Sequence, residues 1–143
     1  MFGRRKFAAL VVTGAAAAAL LGGSVGTAAA APADDTIVDV TSANYQQIVE
    51  LSKSKPVVLD FTASWCHWCQ VEKPYLQKFH DADKGKWVWA KVDVDQNKEL
   101  SNKYNVDGIP DLIELKGGQE VGSRFQGFDK DQADNLRDWL NGL

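Results

Sequence analysis

Two cysteines three positions apart, Cys66 and Cys69, stand in the run Trp65-Cys66-His67-Trp68-Cys69, and the chain has no others. A disulfide between them closes a loop of only about four residues, for which the chain-entropy model gives roughly 2 kcal/mol against about 3 for a fifteen-residue loop. As a staple the pair is therefore poor, and its spacing suits reversible chemistry better. If the first cysteine stands where a buried strand hands over to a helix, it faces unpaired backbone N–H groups and the positive end of the helix dipole, which lowers its pKa. Cys66 would then attack a partner's disulfide to give a mixed disulfide, and Cys69, one turn on, would resolve it. Two other readings compete. Zinc needs about four ligands; besides the cysteines the chain offers only His67 and His80, and His67 lies between the cysteines, where chelation is awkward. A purely structural disulfide is the other. No metal, flavin or nucleotide is expected, the redox-active disulfide being the only prosthetic feature.

That chemistry needs a strand to end and a helix to begin at the pair. Val57-Val58-Leu59-Asp60-Phe61 follows Pro56 as an apolar, β-branched run short enough for a central strand buried on both faces. From Cys66 to about His80, Val71, Tyr75, Leu76 and Phe79 recur at helical spacing, with Pro74 expected to kink or break the helix locally. Upstream, Ile37 to Val40 reads as a short strand, and Thr41 or Ser42 is expected to cap a helix carrying Tyr45, Ile48, Val49 and Leu51. Downstream come a strand over Trp87 to Val94 and a short helix over Lys98 to Tyr104. Strands over Asp111 to Leu115 and Val121 to Phe125 then flank Lys116-Gly117-Gly118-Gln119, whose glycines suit a tight hairpin. The last helix is expected from Asp129, with Gln132 as capping-box partner and Leu136, Trp139, Leu140 and Leu143 on one face. Early crossovers demand parallel strands and the late hairpin an antiparallel pair, so the βαβαβαββα order predicts an α/β fold with one central mixed sheet covered by helices.

Residues 1–31 read as a cleaved signal peptide: Arg4, Arg5 and Lys6 form a basic region, Leu10 to Leu21 an apolar one, and Ala28 to Ala31 a small-residue exit. Arg4-Arg5-Lys6-Phe7 also resembles a twin-arginine export signal, with an ordinary basic region as the equal alternative. A retained anchor is the other alternative, but membrane spans need roughly 20 apolar residues, and Gly14, Gly22 and Gly23 interrupt this run. Residues 32–36 make a short polar lead and 37–143 a single domain. Without Arg4, Arg5 and Lys6 the 16 basic residues fall to 13 against 19 acidic ones, a net charge of −6. That acidity, with basic residues neither clustered nor interleaved with aromatics, argues against nucleic acid. Export implies a secreted or extracytoplasmic location in an oxidising or redox-managed compartment.

The run Val58-Leu59-Asp60-Phe61-Thr62-Ala63-Ser64-Trp65-Cys66-His67-Trp68-Cys69 resembles the active-site strand, loop and helix start of thioredoxins. Pro74, Lys91, Ile109-Pro110, Gly117-Gly118 and Gly127 follow in the family's order, so that the resemblance spans about residues 36 to 143. It implies a thioredoxin fold with helices on both faces of the sheet. Asp60, an ionisable group in an apolar strand, matches an aspartate buried beneath the cysteines; burial raises its pKa and makes it a proton acceptor for Cys69. Lys91 matches the lysine that neighbours that aspartate. Ile109-Pro110 matches a cis-proline segment, although cis is found at only about 5–6% of such bonds in general; its implied roles are to align an incoming chain and to keep metals from the thiols. Trp65 matches the tryptophan before the first cysteine and is expected to cover the site.

The departures bear on direction. Thioredoxins carry Gly-Pro between the cysteines and disulfide isomerases Gly-His, where this chain has His67-Trp68. Trp68 restores a backbone N–H as a donor to the thiolate, and a protonated His67 would favour the thiolate too, both pointing to a more oxidising protein. Ile109 before the proline points back to thioredoxins. Trp68 is expected to be a contact surface for partners, and Asp111 either selects basic partners or is solvated. Trp87, Trp89 and Trp139 are expected in the core and His80 on the helix surface. The resulting expectation is a monomeric exported thiol–disulfide oxidoreductase acting on cysteines of extracytoplasmic proteins, as a reductase. Its electrons would come from a membrane relay; an oxidase would instead need a membrane enzyme to re-form its disulfide. The alternatives are an oxidase or isomerase, a reductant of haem-attachment cysteines, or a binding or chaperone module without redox turnover.

Overall fold

The computed structural model describes residues 36–143; the signal peptide expected over 1–31 and the polar lead up to residue 35 lie outside the described residues. The central strand β2 (Val57–Thr62) is flanked by β3 (Val88–Asp93), parallel to it, and by β4 (Asp111–Lys116), antiparallel to it. Outside these lie β1 (Ile37–Asp39), parallel to β3, and β5 (Gln119–Gln126), antiparallel to β4, giving the order β1-β3-β2-β4-β5. This is the expected mixed sheet.

Side chains alternate across β2 because successive Cβ atoms point to opposite faces. Val57, Leu59 and Phe61 pack with Val88, Ala90, Val92, Ile113 and Leu115 against Tyr45 and Ile48 of α1 (Tyr45–Leu51) and Leu100 of α3 (Lys98–Lys103). Val58 packs on the other face with Trp87, Trp89 and Leu112 against Leu76 of α2 (His67–Asp83) and Leu136 and Leu140 of α4 (Ala133–Asn141). Asp60, two positions after Val58, therefore belongs to the α2 layer.

α2 begins at the cysteines as required and runs through Pro74 to Asp83, past the break expected there. Proline deletes one i to i−4 hydrogen bond, while the inward residues Cys69, Glu72, Leu76 and His80 keep the helix seated on the sheet. At the hairpin, Gly117 and Gly118 both take positive φ, 63° and 82°, as a two-residue turn matched to strand twist requires. Their N–H groups donate to the backbone oxygen and Oγ of Ser52, which docks the hairpin tip on the end of α1.

Two expected caps differ. α1 is preceded not by a Thr41 or Ser42 cap but by Asn44, whose side chain accepts from the Thr41 N–H and donates to the Asp39 carbonyl, closing the turn itself. Asp129 accepts from the Asp131 N–H, so the chain enters a 3-10 turn over Lys130–Gln132 before α4, and Gln132 makes no reciprocal cap. His80 is also corrected. It is buried, edge-on to the Trp87 ring at 4.8 Å and near Trp89, because α2 turns it inward one helical repeat after Leu76. Trp87 and Trp89 are buried as expected; Trp139 is half-buried and its Nε1 donates to the Ser123 carbonyl.

Candidate active site at the start of α2

Cys66 is the residue that caps α2, with extended backbone (φ −81°, ψ 108°), and its Sγ accepts from the N–H of Cys69 at 3.2 Å. The two cysteines form a disulfide with Cα atoms 5.3 Å apart. The sulfur at the cap thus lies where the helix's free N–H groups and dipole favour negative charge. The donor is the N–H of Cys69, three residues on, rather than that of Trp68. The loop before the helix is pinned by the Cys66 N–H and the Gln70 side chain, both donating to the Ala63 carbonyl.

Ile109-Pro110 is a cis peptide, as the resemblance implied. The Ile109 carbonyl oxygen lies 3.8 Å from Cys66 Sγ; a disulfide sulfur carries no proton, so this is a contact in the oxidised protein and a donor-acceptor pair once Cys66 is a thiol. Ile109 also lines a groove of about 470 Å³ with Trp65, Val94, Val106 and Gly108. Trp65 forms its wall rather than a cover: it is 67% exposed, held by a 2.7 Å hydrogen bond from Nε1 to Asp95. Between the two cysteines His67 and Trp68 meet edge-on at 4.9 Å, with Trp68 46% exposed. Of the five residues expected to meet a substrate, Trp65 and Ile109 share this groove, His67 and Trp68 stand in the first turn of α2, and Pro110 is buried.

Behind Cys69 a cavity of about 460 Å³ is lined by Asp60, Cys69, Gln70, Lys73, Trp89 and Lys91, among others. Asp60 is 5% exposed, and its Oδ2 accepts from Trp89 Nε1 at 2.9 Å. Burial pushes its pKa up from 3.8 to about 6, against the opposing pull of the Trp89 hydrogen bond and of Lys91 and Lys73. Lys91 is the cross-strand neighbour of Asp60, yet its ammonium pairs with Asp39 at 3.4 Å and lies over the Trp89 ring, so it acts on Asp60 through space. The arrangement can stabilise a thiolate at Cys66 and take a proton from Cys69.

Asp111 neither faces partners nor is solvated. It is fully buried, and its Oδ2 is held at 3.1 Å by Arg124, which also donates to the Tyr104 carbonyl. Burial raises its pKa against the pull of Arg124. Sequence reasoning missed three participants. Trp89 is core and also the donor that orients Asp60; Lys73 adds a second cation beside the cavity; Glu72 is buried at 1% exposure one turn after Cys69. Glu72 had a usable signal, since it falls with Cys69, Leu76 and His80 on one helical stripe. Among the described residues no group of three or more His, Cys, Asp or Glu is placed to hold a metal ion, and no helix is long and apolar enough to cross a membrane.

The thioredoxin family model matches residues 36–141. The thioredoxin of Alicyclobacillus acidocaldarius is 40% identical over 82 residues, 57% of this chain and 76% of that protein. The thioredoxin of Buchnera aphidicola is 32% identical over 105 residues, 73% of this chain and 93% of that protein. Among solved structures, the germline-specific thioredoxin Deadhead of Drosophila melanogaster superposes with a TM-score of 0.64 at 28% identity, covering 72% of this chain and 94% of that one.

Proposed function

The chain belongs to the thioredoxin family, and from that premise we propose that it works outside the cytoplasm as a reductase of disulfides in exported proteins. Family membership together with the Cys66–Cys69 disulfide makes it a thiol–disulfide oxidoreductase. Export rests on the basic, apolar and small-residue order of residues 1–31. The reducing direction is supported by the likeness to thioredoxins and by Ile109 before the cis-proline.

The observation that carries the mechanism is the position of the disulfide, with Cys66 at the α2 cap and Cys69 turned toward the cavity that holds Asp60. In the reduced protein the Cys66 thiolate attacks one sulfur of a substrate disulfide, and the other substrate sulfur leaves as a thiolate. Cys69 passes its proton to Asp60 and attacks Cys66 Sγ. The bond between Cys66 and substrate breaks, the internal disulfide re-forms, and the substrate keeps two electrons as a dithiol. Trp65 and Ile109, which share a groove, are assigned to substrate contact together with Pro110, His67 and Trp68; Lys91 moderates Asp60. Each turnover leaves the protein oxidised, so a membrane electron relay must reduce it again. The protein acts as a monomer without metal, flavin or nucleotide.

The test is the reduction potential, by equilibrating the purified protein in graded thiol–disulfide buffers and following tryptophan fluorescence. A midpoint near thioredoxin's, about −270 mV, supports a reductase, and one near about −120 mV overturns it in favour of an oxidase. Absence of any two-electron transition would mean a binding module instead.

A further inference from the structure

We propose that Glu72 is a positioning residue of the resolving step: a carboxylic acid kept neutral in the α2 layer so that its O–H can stabilise the negative charge as it passes from Asp60 to Cys69. This rests on the exchange mechanism proposed above and deepens it.

Glu72 follows Cys69 by three residues, and residues so spaced are neighbours on one helix face. Of the 17 residues of α2, the buried ones are Cys69, Glu72, Leu76 and His80, so Glu72 is the next inward residue after the resolving cysteine. Asp60 reaches the same layer from β2, because it shares its strand face with Val58, which packs on Leu76. Glu72 and Asp60 are thus two carboxyl groups in the α2 layer, to which Cys69 also belongs.

Glu72 is also unpartnered. It is 1% exposed, and its Oε2 has no hydrogen-bond partner. A buried polar group left unpaired destabilises the fold, and an apolar side chain of similar volume would serve packing better. The orphaned oxygen has a simple meaning if its acceptor exists only during turnover. In the disulfide state Cys69 carries no charge. After Cys66 has bonded to substrate, Cys69 must become a thiolate, and a neutral acid beside it then gains an acceptor.

The charged groups around Glu72 keep it neutral. Burial, with the neighbouring carboxylates Asp60 on β2 and Asp111 on β4 acting in the same direction, raises its pKa from 4.5 to about 9. Lys73 on α2 and Lys91 on β3 act on Asp60 instead, holding that group as the one that can ionise near neutrality. The division of labour is that Asp60 takes the proton and Glu72 keeps its own. A carboxylic acid held neutral at pH 7 for hydrogen-bond donation is an established device elsewhere.

The experiment uses the reduced full chain mixed with 5,5′-dithiobis(2-nitrobenzoate) in a stopped-flow spectrometer. A first release of thionitrobenzoate reports attack by Cys66, and a second reports resolution by Cys69. Glu72→Met at pH 7 is expected to slow the second release about tenfold, the size of one lost hydrogen bond to a charged group, while leaving the first unchanged and raising the melting temperature. Glu72→Gln, which keeps a donor, should resolve within about threefold of the wild type. A second release at the wild-type rate in Glu72→Met overturns the proposal, as does a Glu72→Gln as slow as Glu72→Met. A purely structural glutamate would lower the melting temperature when replaced by methionine and leave the second release alone. If Glu72→Met does not fold, Glu72→Ala, which also removes the donor, takes its place beside Glu72→Gln in the same comparison. Cys69→Ser, which must abolish the second release, separates failure of this inference from failure of the exchange mechanism itself.

Discussion

Asp60 sits between two opposed demands, since burial favours its neutral form while Trp89, Lys91 and Lys73 favour the anion. With a pKa of about 6, it is ionised and able to accept a proton at pH 7 and is protonated below pH 6. Resolution by Cys69 should therefore slow as pH falls through about 6, and Asp60→Asn should be slow and lack this step, as read from the pH dependence of the second thionitrobenzoate release. The same shift has a stability cost of opposite pH sense. The folded-state pKa lies above the unfolded value of 3.8, so the contribution of Asp60 is fully present below about pH 4 and is lost as pH rises through about 6. Asp60→Asn should accordingly be more stable than wild type at pH 7, by something on the order of 3 kcal/mol, and should gain little at pH 3. Denaturant unfolding at the two pH values measures it. The cysteines admit a simpler expectation. Cys69→Ser should accumulate Cys66 mixed disulfides with substrate that survive non-reducing electrophoresis, and Cys66→Ser should accumulate none.

At the scale of elements, α2 does two things at once: its first turn presents Cys66 to substrate, and its inward stripe carries Cys69, Glu72 and His80 into the layer over the sheet. Two of these inward groups keep an unpartnered polar atom, Glu72 Oε2 and His80 Nε2. Glu72→Gln should flatten the dependence of stability on pH between about 5 and 9, because the glutamate's folded-state pKa is raised to about 9 and its contribution is lost as pH rises through that window. Thermal unfolding across a pH series checks it. The β4–β5 hairpin tests a different kind of constraint. Gly118 holds φ at 82°, where a side chain is strained although the space beyond it is only in ordinary contact with Val49. Gly118→Ala should cost about 1–2 kcal/mol in stability, read as a lower melting temperature, with no change in either release phase.

For the whole molecule, the four-residue disulfide loop contributes little to the fold, so reduction should lower stability by only about 2 kcal/mol, measured by unfolding with and without reductant. The cysteine pair and its strand-to-helix setting, the alternation of strands and helices, and the Gly117-Gly118 turn are legible in the residues alone, because each rests on short-range periodicity or on backbone conformations that few residues tolerate. The residues also mark Asp60 as anomalous, since a carboxylate in Val57-Val58-Leu59-Asp60-Phe61 breaks an apolar run. The cis bond at Pro110 was legible through the family resemblance and not through the residues alone. Local pattern states which face a residue occupies but not how deep that face lies or what meets it there. The inward stripe of Glu72 and His80 was readable but its depth was not, and Asp111 was out of reach altogether: their burial is set by the α2 layer, by Trp87 and by Arg124 of β5. The same holds for the hydrogen bond from Trp89 to Asp60, which joins residues 29 positions apart. These features emerge with the assembled fold, because the energy of a buried polar group depends on partners brought by other elements, and no local window of sequence contains them.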